Sequence, residues 1–533
     1  MGGRVVLGAV VHNGRVPATS PALGAVRPRT SAAARRRDPW ITWRIPLLVG
    51  VVALAIRLSV VLRGGGLYGY YGYDDGVYFS AAASFVFGRL PYREFLLLHP
   101  PGIMLVLAPF AELGRLTSDR DAMAVARAAF LLLGAINVAL TARLAGVLGR
   151  TAALVAGGFA AVWVHAVYVD RVPLLEPVGN LLLLIALLLL TQRGRVRAGR
   201  AELLAGLALG LSIGIKVWGV VPFAILGVFV LVTRGWRAGV RMGVGAAVAG
   251  LVVCGPFFLA APREMFRMLV LNQIGRPEIG PSAIERPPLM LGVTAYVGKQ
   301  DVPLVVAISL GLGVLLLALG ALALREPRAR VWMALLVGNV LLILAAPVYF
   351  AHYSAFLAVP LALVIGAGAA EVARSLRGRP VLLRRGLAAV TATALAVLGL
   401  LTASLSWGRP YPGDRLAAFL PESGCVRADD PGALIQLNVL SRNLERGCTV
   451  HVDFTGITYD RLARTRADGT PVSRRRNADW QRYARAYLMS GSSTVLVRGA
   501  ANGFSQATQR QLRQLPVLGR VDGWRVLGPP TTR

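Results

Sequence analysis

A series of long apolar runs most constrains what this chain can fold into. They lie at about 41–62, 123–146, 152–169, 174–191, 202–216, 217–233, 240–260, 302–324, 331–347, 352–373 and 386–406. Most approach the roughly 20 residues that a helix needs to cross a hydrocarbon core of about 30 Å. Inside lipid a spanning segment must satisfy its own peptide groups, so the series predicts an α-helical polytopic membrane protein with about eleven transmembrane helices. One division stays open. The stretch "LALGLSIGIKVWGVVPFAILGVF" reads as two short spans around Lys216 or as one long bent span.

Charge then orients the spans. The chain has a formal net charge of +32, yet only 16% of its residues are charged and 55% are hydrophobic. Such a charge on a soluble protein would suggest nucleic acid, but no recognised nucleic-acid fold or aromatic-basic module is present. The arginines instead cluster between apolar runs, as the positive-inside rule expects. With the N-terminus in the cytosol, "LGRT", "QRGRVRAGR", "TRGWRAGVR", "LREPRARVW" and "RSLRGRPVLLRRG" become cytosolic loops, and all are basic. The opposite side receives 63–122, "VDRVPLLEP", 262–301, "PVYFAHYS" and the polar tail, which carry acids and aromatics. The expected partner is therefore the lipid bilayer of the cell membrane, crossed many times, and not nucleic acid.

Three regions follow. Residues 1–39 lack the apolar segment and cleavage site of a signal peptide and read as a disordered cytosolic arm. Residues 40–407 form the transmembrane domain, with long outer loops at 63–122 and 262–301. Within the first loop, "YFSAAASFVFGRL" and "PPGIMLVLAPFAELGRL" read as amphipathic helices lying along the membrane interface. Residues 408–533 read as a small extracytoplasmic α/β domain. Its strands are expected at "CVRADD", "CTVHVDF", "STVLVRG" and "GRVDGWRVLG", with helices at "PGALIQLNVLSRNLERG" and "ADWQRYARAYLMSG". Cys425 and Cys448 open the first two strands. Neighbouring strands would bring them together, so a disulfide and two free thiols are both open readings. Cys254, inside an apolar run, reads as a small packing residue.

The candidate chemical residues gather on the outer side. Asp74 and Asp75 sit in "YGYDDGVY", and a carboxylate there can take a proton, bind a cation or bind a sugar hydroxyl. Tyr73 and Tyr78 flank them and suit either an interfacial belt or stacking on a sugar. Glu176 starts the fourth run, where an ionisable residue is a functional candidate. Arg171 stands five residues earlier, Arg127 begins the second run, and Lys216 lies between apolar stretches. Each is suited to a phosphate. His99 and His352 are on the same side, but no metal-ligand spacing is present. The chain also lacks a Walker A loop and a Gly-x-Ser-x-Gly motif.

In order, these elements resemble a known pattern. An acidic pair with a following Tyr ("DDGVY") leads to "GRLPY", which contains Tyr92, and then to "HPPG" at His99. Arg127, "RVPLLEP" with Glu176, Lys216 and "HYS" with His352 and Tyr353 follow. The chain resembles polyprenyl-phosphate-sugar-dependent membrane glycosyltransferases of the GT-C superfamily. The nearest branch is family 39 and its relatives, among them protein O-mannosyltransferases and aminoarabinose transferases. The resemblance covers about 41–370 and leaves the tail outside. It implies inverting transfer of a sugar from a polyprenyl-phosphate donor to a cell-envelope acceptor, with Asp74 or Asp75 as base. It also implies that Arg127, Arg171 and Lys216 hold the donor phosphate. Substrate contacts would come from Tyr73, Tyr78, Tyr92, His99, Glu176, His352 and Tyr353. A divalent metal ion at Asp75 and Glu176 is a further implied ligand. The competing class is a multi-pass transporter of a lipid-linked or small polar substrate. Transporters often show internal repeats and midplane acids, which this sequence does not display.

Overall fold

The computed structural model describes residues 2–3, 40–191, 199–276, 280–298 and 300–530. Nearly all of the N-terminal arm, and residues 192–198 of the second basic loop, lie outside the described residues.

Each apolar run forms a helix. The first is α1 (Ile45–Arg63). Two helices of the first long loop follow, α2 (Asp74–Val86) and α3 (Gly102–Leu116). The bundle continues with α4 (Asp119–Ala145), α5 (Arg150–Val162), α6 (Val164–Asp170), α7 (Leu175–Thr191) and α8 (Arg200–Ile215). Next come α9 (Val220–Arg234) and α10 (Trp236–Ala260). After short helical turns between residues 262 and 297, it resumes with α11 (Val302–Ala323), α12 (Ala329–Ala345), α13 (Ala358–Ser375) and α14 (Val381–Ser404). Among the described residues, seven helices are long and apolar enough to cross a membrane, eight if the bent pair α5–α6 is one span. Helices α7 and α12 are apolar but shorter. At Lys216 the chain is extended (φ −146°, ψ 126°), so the open stretch is two helices, α8 and α9.

The sequence shows 152–169 as one run, but the helix breaks at Trp163 and turns by 60°. Breaking a helix in lipid strands its last carbonyls. Here distant side chains reach them. Arg57 Nη1 donates to Ala161 O at 3.0 Å, and Thr402 Oγ1 donates to Val162 O at 2.9 Å. Arg57 also pairs with Asp170 at 2.8 Å, at the far end of the bent segment. Helices α8 and α10 cross closely: a Cβ on Gly206 would stand 2.0 Å from Met242 O, so this contact requires glycine.

The helices of the first loop differ from expectation. Residues Asp75–Ser84 of α2 are buried without interruption, so α2 is enclosed and not laid along an interface. The C-terminal region covers it. A Cβ on Gly76 would stand 2.6 Å from Gly432 N, and the backbones of Tyr70 and Arg409 pair as a bridge. One hydrophobic core includes Phe79, Met104 and Phe130 together with Val426, Leu434 and Val495.

The C-terminal region holds a four-stranded sheet in the order β1-β2-β4-β3. Strand β1 (Val426–Ala428) runs parallel to β2 (Ser493–Val495), and β3 (Val517–Val521) with β4 (Trp524–Leu527) completes it antiparallel. The β3–β4 hairpin turns on Asp522 and Gly523, both at positive φ, as a two-residue turn favours. The expected helix after "CVRADD" is two short helices, Pro431–Gln436 and Leu440–Glu445, and "ADWQRYARAYLMSG" gives Ala478–Leu488. An unforeseen helix occupies Gln506–Arg513. The strand expected at "CTVHVDF" does not form. The free edge of β1 is taken by the Asn443 side chain, which accepts from Val426 N (3.1 Å) and donates to Val426 O (2.8 Å). Cys425 and Cys448 nevertheless form a disulfide, with Cα atoms 5.8 Å apart.

Candidate active site

The site lies at the end of the bundle where α2 begins. The two adjacent aspartates diverge there, because successive helical residues point about 100° apart. Asp75 points inward. Its Oδ2 accepts from Arg127 Nη2 at 2.8 Å, with both side chains at most 4% exposed. Arg127 also donates to Leu67 O (2.7 Å) and Gly69 O (2.8 Å) and lies 4.8 Å from the Tyr71 ring centre. Asp75 thus anchors the turn that precedes α2.

The Asp74 side chain remains 44% exposed, and its Oδ2 is 4.0 Å from His352 Nε2. The surrounding walls desolvate its carboxylate, and the negative charges of Asp453 and Asp75 add to that. Together they raise its proton affinity, to a pKa of about 6. An acid poised there is mostly ionised at neutral pH and is a stronger base than an ordinary aspartate.

A second pair lies in the site. Glu176, in the first turn of α7, accepts from Lys216 Nζ at 2.7 Å through Oε1. Its buried Oε2 has no hydrogen-bond partner among the described residues. The ammonium lies 4.3 Å from the Trp218 ring centre and 4.1 Å from that of Tyr353. Lys216 therefore has one charged partner and an aromatic wall that leaves hydrogen-bond capacity unfilled. The His352 and Tyr353 rings pack edge to face at 4.7 Å, which links this pair to Asp74. Tyr78 packs against His99 at 5.7 Å, and burial keeps His99 well below the usual histidine range and neutral. Tyr92, at φ 68°, donates to His99 O at 2.8 Å and so shapes the loop around His99.

Several expected roles change with this placement. The guanidiniums of Arg127 and Arg171 are buried and already bonded to neighbouring groups. Arg171 is 2% exposed, lies 3.8 Å from the Tyr168 ring centre, and donates to Tyr168 O and Tyr71 O. Tyr73 turns into the C-terminal region, where its hydroxyl donates to Asp453 Oδ1 at 2.8 Å. The implied metal pair is likewise occupied, since Asp75 faces Arg127 and Glu176 faces Lys216. Among the described residues no three His, Cys, Asp or Glu side chains gather as a metal site. Those donor sets do not fit a divalent ion.

Three residues of the site carried no signal in the sequence. Arg276, on the long 262–301 segment, acts on Tyr353 and on the neutral His99 by its charge and lies 5.1 Å from the Tyr459 ring centre. Nothing distinguishes it from the other arginines of an Arg-rich chain. Asp453 and Arg498 come from the C-terminal region. Asp453 sits in "HVDF", where a strand was expected.

The architecture is a fold of the GT-C type. Two structures of ArnT from Cupriavidus metallidurans share the fold. The apo form has a TM-score of 0.55 at 18% identity and covers 90% of this chain and 97% of that one. The form bound to undecaprenyl phosphate has a TM-score of 0.54 at 17% identity and covers 91% and 98%. Residues 97–347 match the model of glycosyltransferase family 87, and the chain is a membrane glycosyltransferase. That match is to family 87, whereas motif order suggested the family 39 branch. It includes His99, Lys216 and Arg276 and begins after Asp74 and Asp75. No curated protein matches the chain.

Proposed function

We propose that the enzyme transfers a sugar from a polyprenyl-phosphate donor to a cell-envelope acceptor, with inversion, on the extracytoplasmic side. The observation that carries this is the chain of contacts from Asp74 through His352 and Tyr353 to Lys216. It joins a carboxylate without a paired cation, Asp74, to a lysine with unfilled hydrogen-bond capacity, Lys216. Undecaprenyl phosphate bound to the similar ArnT supports the lipid donor.

In this reading the acceptor hydroxyl gives its proton to Asp74 while its oxygen attacks the anomeric carbon. The bond from that carbon to the phosphate oxygen breaks, and its electron pair leaves with the phosphate. Phosphate is a good leaving group, so no strong general acid is needed. Lys216 and Arg276 offset the charge that develops on it. His352 stays beside Asp74 and orients the acceptor. Asp75 and Arg127 hold the turn.

The proposed orientation rests on charge. The end of the bundle opposite the site carries Arg234, Arg237, Arg241, Arg325, Arg328, Arg374, Arg377, Arg379, Arg384 and Arg385, which the positive-inside rule assigns to the cytosol. The site and residues 408–533 then lie outside, where lipid-linked sugars are usable and a disulfide persists.

The test compares envelope glycans and glycoproteins of a deletion strain and its parent, then supplies deletion-strain membranes carrying the enzyme with labelled polyprenyl-phosphate mannose, arabinose, galactose or glucose. One of these should label an acceptor with inverted anomeric configuration. Flux of the lipid-linked sugar without any glycosidic product would overturn the reading in favour of transport.

A further inference from the structure

We propose that the C-terminal region is part of the catalytic apparatus, with Asp453 and Arg498 as positioning residues that hold Tyr73 and set the field at Asp74. The proposal rests on the reading of Asp74 as the base.

The geometry starts one residue before that base. Tyr73 precedes Asp74 at the start of α2. Its hydroxyl donates to Asp453 Oδ1 and accepts from Thr455 N, both at 2.8 Å. Asp453 is itself fixed, since the same oxygen accepts from Gly456 N at 2.7 Å. The Arg498 guanidinium lies 4.4 Å from the Tyr73 ring centre. Its backbone N–H is held by Asp429 at 3.1 Å, an acid that also caps Val497 N and Gly499 N. The C-terminal region thus grips a phenol whose neighbour in sequence is the catalytic carboxylate. The close approach of Gly76 to Gly432 fixes the other side of the same helical turn.

Charge gives the grip a chemical consequence. The groups that act on Asp74 are Asp75 from its own helix, Glu176 from α7, His352 from the 351–357 turn, and Asp453 and Arg498 from the C-terminal region. The last two oppose each other. Asp453 strengthens Asp74 as a base and Arg498 weakens it. A merely structural C-terminal domain has no reason to bring one charge of each sign to this point.

The experiment measures transfer rate against pH for the full-length enzyme in deletion-strain membranes supplied with the active polyprenyl-phosphate sugar. Asp453→Asn should move the acid limb down by roughly one pH unit, and Arg498→Gln should move it up. Asp453→Glu should return it towards the wild-type position. Tyr73→Phe should lower kcat several-fold with the donor KM unchanged. If Asp453→Asn fails to accumulate, the upward shift in Arg498→Gln still decides. Unmoved acid limbs in folded variants, with Asp74→Asn inactive, would overturn this proposal and leave the base assignment standing. Full activity in Asp74→Asn would overturn the base assignment itself.

Discussion

Arg57 with Asp170 and Lys216 with Glu176 are both buried cation–carboxylate pairs, and they serve opposite ends. Arg57 is saturated. It pairs with Asp170 at 2.8 Å and donates to Ala53 O at 3.1 Å, Ala161 O at 3.0 Å and Ala160 O at 3.5 Å. Lys216 touches one carboxylate oxygen and two rings, and its partner keeps a buried oxygen without a hydrogen bond. A saturated pair holds backbone together, whereas an unsaturated one is prepared for a ligand. Burial and charge alone do not distinguish them. The number of hydrogen bonds left open does.

The comparison breaks most sharply at Arg57. Arg57→Met leaves Asp170 buried without a cation and exposes the carbonyls of the α5–α6 bend, so stability should fall by about 3–5 kcal/mol. Thermal melting in detergent checks this, and the protein that remains folded should keep its donor KM. Lys216→Met also leaves a buried carboxylate, Glu176, without its cation and should lower the melting temperature. Unlike Arg57→Met, it should raise the donor KM about 10- to 100-fold by losing a charge-assisted contact to phosphate, as steady-state kinetics against donor concentration will show.

The two aspartates sharpen the contrast at one helical turn. Transfer should fall as pH drops through about 6, where Asp74 takes up its proton. Asp74 binds its proton more tightly in the folded chain than at the ordinary value of about 3.9. The folded state therefore holds more protons between those values, and that contribution to stability is lost as pH rises through 6. Asn stays neutral throughout. Asp74→Asn should accordingly melt no lower than wild type at pH 7.5, with the gap closing below pH 4. Asp75→Asn should melt lower, because Arg127 is left buried and unpaired.

The helical architecture was legible because lipid leaves few alternatives: an apolar run of sufficient length becomes a helix. The break at Trp163 was not legible. No proline or glycine stands at that position, and the groups that make it tolerable, Arg57 and Thr402, are over a hundred residues away. The acidic pair was legible as a site, but its division of labour was not, since that depends on where Arg127 lies in space. The bonding of Arg127 and Arg171 to neighbouring groups was hidden for a related reason. An arginine's sequence position does not reveal whether its donors are already taken. The disulfide was foreseen through two neighbouring strands, and it forms although Asn443 replaces one of them. Asp453 and Arg498 were beyond reach, because nothing local in the tail shows that it folds back onto α2.

The most direct test of the account is transfer by the Asp74→Asn enzyme. Label passing from the active polyprenyl-phosphate sugar to acceptor is measured at pH 7.5 in deletion-strain membranes carrying equal amounts of wild-type and variant protein. Removing a general base should reduce the rate about 10²- to 10⁴-fold, with donor KM preserved and melting temperature no lower than wild type. Transfer at the wild-type rate would contradict the account.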